Sequence, residues 1–162
     1  MKLTFKILSV FLILFTISCG EKEEKEQPKL SDPETVEEAK TTTAEVSNLD
    51  NKGVGPVKSV EIGADIDAAL ATQGAELFKN MCSACHKMDK KFIGPELAGV
   101  TERRTPEWIM NMILNPEKMI KEDPIAKKLL IESNMAVMAN QGLTQEEARA
   151  ILEYFRQFDQ EN

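Results

Sequence analysis

Two cysteines separated by two residues, Cys82 and Cys85, are followed directly by His86, the only histidine among the 162 residues of the chain. This run restricts the fold more than any other feature. A Cys-x-x-Cys-His segment is the attachment pattern of a c-type haem. The spacing lets both sulfurs form thioethers with the two vinyl groups of one porphyrin, and the imidazole then stands beside the ring plane within reach of its iron. Other uses of a Cys-x-x-Cys pair fit less well. A zinc site needs more ligands than one histidine and two thiols. A redox disulfide of the thioredoxin kind expects a βαβ setting, and residues 66–162 show no strand-like alternation of useful length. The expected cofactor is therefore haem c with its iron, bound through Cys82 and Cys85 and ligated by His86. A single histidine also rules out ligation by two imidazoles of this chain. The sixth position falls to methionine, lysine, water or nothing.

The start of the chain reads as a targeting segment, with Lys2 and Lys6 before an almost wholly apolar run from Ile7 to Ile17. That run is short for a bilayer span, which takes roughly 20 apolar residues. The stretch Thr16-Ile17-Ser18-Cys19 resembles the lipobox of bacterial lipoproteins. The resemblance implies a signal peptide over 1–18, acylation of Cys19, and a lipid anchor that holds the remainder at a membrane of the bacterial cell envelope, in the periplasm. The alternatives are an ordinary signal peptide in which Cys19 is discarded and an uncleaved anchor. Three cysteines are then accounted for, one by lipid and two by haem, with no thiol left for a disulfide that the compartment would permit.

The formal charge is −7. Removal of residues 1–18 leaves 18 basic against 27 acidic side chains, a net charge of −9. No nucleic-acid partner is expected, since phosphate binding needs the opposite sign. Residues 19–65 hold 6 lysines and 12 acids, against 12 basic and 15 acidic groups in 66–162. The acidic segment is rich in Glu, Lys, Thr, Ser and Pro and has no aromatic residue, so it cannot bury enough apolar surface to offset ordering. It reads as a flexible, lipid-anchored linker over 19–65, within which Gly53 to Ile62 carries a weak signal for a local strand or extended arm.

From Ile66 the pattern is helical. Leu70, Leu77, Phe78 and Met81 recur at helical spacing ahead of the cysteines. A loop with Gly94, Pro95 and Gly99 follows. Thr105-Pro106 has the form of a cap and first turn, with Trp108, Met112 and either Ile109 or Ile113 on the inward face, and Asn115-Pro116 is read as its end. A further helix is expected from Pro124 to Ser133. The last opens at Thr144 with a capping box to Glu147 and places Ala148, Ile151, Leu152, Phe155 and Phe158 on one side. The expectation is an all-α domain over 66–162 with four or five short helices.

These residues resemble the class I cytochrome c family over roughly Ala71 to Phe158. Gly74 and Phe78, eight and four positions before Cys82, match that family's N-terminal helix, and the segment with Ile151 and Tyr154 is similar to the C-terminal helix that crosses it at Gly74. Gly94-Pro95-Glu96-Leu97-Ala98-Gly99-Val100 resembles the loop whose proline carbonyl accepts a hydrogen bond from the proximal histidine, a role that falls on Pro95. The family's axial methionine lies shortly before the last helix and usually precedes proline. Here Met138 and Met135 are the candidates, each followed by alanine, and counting back five residues from Leu143 selects Met138. Met81, Met88, Met110, Met112 and Met119 read as core or surface residues. Arg103, Arg104 and Trp108 are possible neighbours of the haem propionates.

The resemblance implies a monomeric, membrane-tethered electron carrier and not an enzyme. With His86 and Met138 on the iron, no position is vacant for oxygen or peroxide, and a thioether favours reduced iron. Expected partners are redox proteins, a terminal oxidase or a reductase such as nitrous oxide reductase. The competing function is a peroxidase-like enzyme or gas sensor with a weak or absent sixth ligand.

Overall fold

Asp67 starts the first helix by accepting the Leu70 N–H through its side chain, and α1 then runs Ala68–Leu77. The computed structural model describes residues 49–162, so the expected signal peptide, Cys19 and most of the expected linker lie outside the described residues. After α1 the chain widens into a π turn, Phe78–Cys82, closed by the Ser83 N–H on the Phe78 carbonyl. Four residues form α2, Val100–Arg103. Thr105 caps α3, Pro106–Leu114, through the Trp108 N–H at 3.1 Å. α3 ends at Asn115-Pro116, as read from the sequence, and a new helix starts there. Pro116 occupies the first turn of α4, Pro116–Glu122, where its missing N–H costs nothing. Asp123 then caps α5, Pro124–Glu132. The last helix, α6, spans Gln145–Glu161, and its capping box has both arms, Glu147 N–H to Thr144 Oγ1 and Thr144 N–H to Glu147 Oε2.

The described residues therefore form six α-helices and one π turn with no strand; α2 and α4 are the elements beyond the expected four or five. The crossing of α1 with α6 organises the rest. A Cβ at Gly74 would come within 2.0 Å of the Ala150 carbonyl oxygen, so only glycine lets the two backbones approach this closely. Around the crossing Phe78, Ile151, Leu152 and Phe155 are buried, and the Phe78 and Phe155 rings meet edge to face at 5.8 Å. Phe158 is half-buried against the same core.

The expected linker is corrected at its C-terminal end. Residues 51–62 form an extended arm laid along α3 and α4. Val57 is buried, and Asn111, itself buried, accepts the Val57 N–H and donates to the carbonyls of Lys52 and Val57. Composition gave only a weak signal for this arm because it is held largely through its backbone, by the side chains of Asn111, Thr105 and Asn115, and not by apolar periodicity.

Candidate haem site

The π turn delivers Cys82 to the base of a cavity of about 520 Å³, and the turn after it brings Cys85 and His86 to the same wall. The His86 N–H bonds the Cys82 carbonyl at 2.9 Å, so the pentapeptide is folded back on itself and its three donor side chains converge. His86 Nδ1 lies 3.1 Å from the Pro95 carbonyl. A carbonyl only accepts, so Nδ1 carries the proton and Nε2 is left with its lone pair for a metal. Burial pushes the imidazole pKa below its ordinary value, against a smaller upward pull from the Pro95 bond, and so favours the neutral, ligating form.

Gly94 lies directly against this ring. A Cβ there would sit 2.4 Å from His86 Cε1 and 2.8 Å from Nδ1. The loop is pinned on both sides, by Gly94 N–H to the Cys85 carbonyl and by Leu97 and Ala98 N–H to the carbonyls of Lys87 and Met88. The imidazole is thereby wedged between a glycine and a proline carbonyl. Cys82 has its thiol pKa raised to about 11, by burial first and by neighbouring Cys85 second, so Cys82 is not the low-pKa thiolate a disulfide oxidoreductase uses.

The cavity is also lined by apolar side chains from α3, α4 and α5 and by Val100 and Phe155. Residues 71–159 match the family model described as cytochrome c. The chain belongs to the cytochrome c family. A solved cytochrome c from Rhodothermus marinus is 51% identical, with 67% of this chain and 92% of that one covered and a TM-score of 0.65. An engineered form of that cytochrome is also 51% identical, covering 65% of this chain and 91% of its own at a TM-score of 0.63. A further engineered form, bound to a carbene intermediate, is 52% identical over 65% and 91% at a TM-score of 0.61. None of the curated proteins matches the chain. The family carries covalently attached haem c with iron and works in electron transport.

The residues present fit that group. Two thiols and one imidazole share a wall, the imidazole is tautomerically prepared, and the remaining lining is mainly apolar and large enough for a flat macrocycle. Of the two candidate methionines, Met138 lines the cavity, whereas Met135 stands on the surface, 62% exposed, and is not part of the lining. Arg103, Arg104 and Trp108 also line it. Arg103 donates to the Ala98 carbonyl, and the Arg104 guanidinium lies 5.5 Å from the centre of the Trp108 ring. Met88, Met110 and Met119 are core residues, while Met81 and Met112 line the cavity. Sequence reasoning did not reach the α5 wall, Ala126, Leu129 and Leu130, because nothing in a short amphipathic helix tells which cofactor face it covers. The wedge role of Gly94 was equally hidden, although a glycine beside the proline of the loop was visible.

Proposed function

We propose that the chain is a monohaem electron shuttle whose iron is held by His86 and Met138, with thioethers at Cys82 and Cys85, and that it is tethered to a membrane of the bacterial envelope through lipid on Cys19. When bound, the haem supplies a one-electron iron couple. The observation that carries the reading is that Met138, and not Met135, belongs to the same cavity as His86. A thioether in the sixth position raises the potential relative to two nitrogens and leaves no open coordination site, which suits electron transfer and not oxygen or peroxide chemistry.

The mouth of the cavity supports the same reading. Met81, Ile93 and Val137 line the cavity and are exposed. Such exposed apolar side chains suit brief docking by a redox protein, such as a terminal oxidase or a reductase, with the chain acting as a monomer. An acylated Cys19 and a tether from there to the arm would keep the haem domain in the periplasm near such partners.

The ferric optical spectrum tests the ligation. Methionine on ferric haem gives a weak band near the red end of the visible range. Met138→Ala is expected to abolish it and Met135→Ala to keep it; retention in both variants would assign the sixth position elsewhere. Cys19→Ala is expected to move the protein from the membrane to the soluble envelope fraction, and unchanged fractionation would refute the anchor.

A further inference from the structure

We propose that Asp123 is a positioning residue that fixes Trp108 in the cavity wall, and that Asn51, reaching over from the arm, tunes the haem potential through it. The inference rests on the cavity being the haem seat.

Trp108 is 4% exposed and lines the cavity. Its indole N–H donates to Asp123 Oδ1 at 3.1 Å. Asp123 is 2% exposed, and a carboxylate so buried must be supplied with donors. Oδ1 also accepts the Ala126 N–H at 2.8 Å, and Oδ2 accepts Asn51 Nδ2 at 2.6 Å. One of its three donors thus comes from a segment 72 residues away in sequence. The arm also closes on the indole directly. A Cβ at Gly53 would lie 3.2 Å from Trp108 Cδ1 and 2.7 Å from Met119 Cε, so glycine with φ of +68° lets the backbone cover that edge.

The arm is built to stay there. Thr105 Oγ1 donates to the Asn51 carbonyl, Asn51 Oδ1 accepts the Gly53 N–H, and Asn111 holds the arm further along. Solvent access and hydrogen bonding around a haem are levers on its potential. Loosening the latch admits water behind Trp108, and water stabilises the more highly charged ferric state.

The test uses the exported, haem-loaded full chain and two readouts, the midpoint potential and the exchange of the indole N–H followed by NMR. The chain has one tryptophan, so that resonance is unique. Asn51→Ala removes a single half-exposed side chain and leaves the Asn111 bonds in place, so holoprotein should form. It is expected to speed indole exchange at least about tenfold and to shift the reduced-to-oxidised ratio several-fold toward oxidised; a tenfold shift equals about 59 mV for one electron. In a Trp108→Phe background, which lacks the N–H, the same substitution should move the ratio less than about twofold, as expected for coupled sites. Lys52→Ala, which breaks the ion pair to Glu107 at 3.0 Å in the same arm, should lower stability and leave the potential alone. A purely structural latch would give Asn51→Ala a lower melting temperature with unchanged exchange and potential, overturning the proposal. An equal shift in the Trp108→Phe background would overturn the route through Trp108. Absence of any one-electron wave in the wild type would instead refute the haem seat itself.

Discussion

His86 is held by what its neighbours lack. Pro95 has no N–H to compete at that point of the loop and offers a carbonyl to Nδ1, and Gly94 has no side chain to strike the ring. Adding one methyl group is therefore a sharp test of the wedge. Gly94→Ala places a carbon 2.4 Å from His86 Cε1, a contact relieved only by moving the imidazole or the loop. Overpacking of this kind typically costs about 1–3 kcal/mol. The expected outcome is a lower melting temperature together with a perturbed haem spectrum, read by thermal unfolding and visible absorption; a wild-type spectrum would show that the ring is not confined there. The Cys-x-x-Cys-His run was legible in the sequence because covalent chemistry and fixed spacing leave few alternatives, and the Pro95 loop through its resemblance to the family loop. The reason for Gly94 was not, since a glycine kept for lack of space looks the same on paper as one kept for backbone freedom.

Local patterning located the helices well and their phase less well. Caps at Thr105 and Thr144 are where the side-chain chemistry puts them. The apolar repeat through Leu70, Leu77, Phe78 and Met81 reads as one stripe, yet only Phe78 is buried and Met81 is 44% exposed at the cavity. The π turn accounts for the difference, because its wider winding rotates the residues after Phe78 away from the core and toward the cofactor. The α1 and α6 crossing yields the strongest prediction for stability. Gly74→Ala would set a Cβ 2.0 Å from a backbone oxygen, which no rotamer change relieves. A loss of about 3 kcal/mol or more is expected from the denaturant midpoint, and a loss under about 1 kcal/mol would mean the helices can separate freely. Thr144→Ala should cost about 1 kcal/mol by removing the cap, measurable in the same titration.

Across the described domain, one buried carboxylate ties three parts of the chain together. Glu153 on α6 is 1% exposed, accepts the Asp67 N–H at the start of α1, and pairs with Arg149 and Arg156, the latter also donating to the Gly63 carbonyl. Burial raises its pKa, but the hydrogen bonds and the arginines outweigh this and hold it below the ordinary 4.5. A depressed folded pKa means the stabilisation is complete above about pH 4.5 and is lost as pH falls through the folded value. Glu153→Gln should therefore be less stable than wild type by a constant margin at neutral pH, with the gap narrowing below pH 4.5, as followed by melting temperature against pH. A gap that widens on acidification would contradict the assignment. The arm shows the limit of composition as a guide, since Gly53 to Ile62 gave only a weak signal for an extended arm within an expected linker, yet its backbone is held by Asn111.

Electron carriage by an iron closed on both faces is tested most directly by a potentiometric titration of the exported holoprotein, followed at the haem absorption bands with and without carbon monoxide. If Met138 fills the sixth position as proposed, the predicted result is a single reversible one-electron wave, unmoved by the gas. A wave that shifts with carbon monoxide, or a ferrous spectrum that changes on its addition, would contradict the assignment and point to a ligand-binding haem.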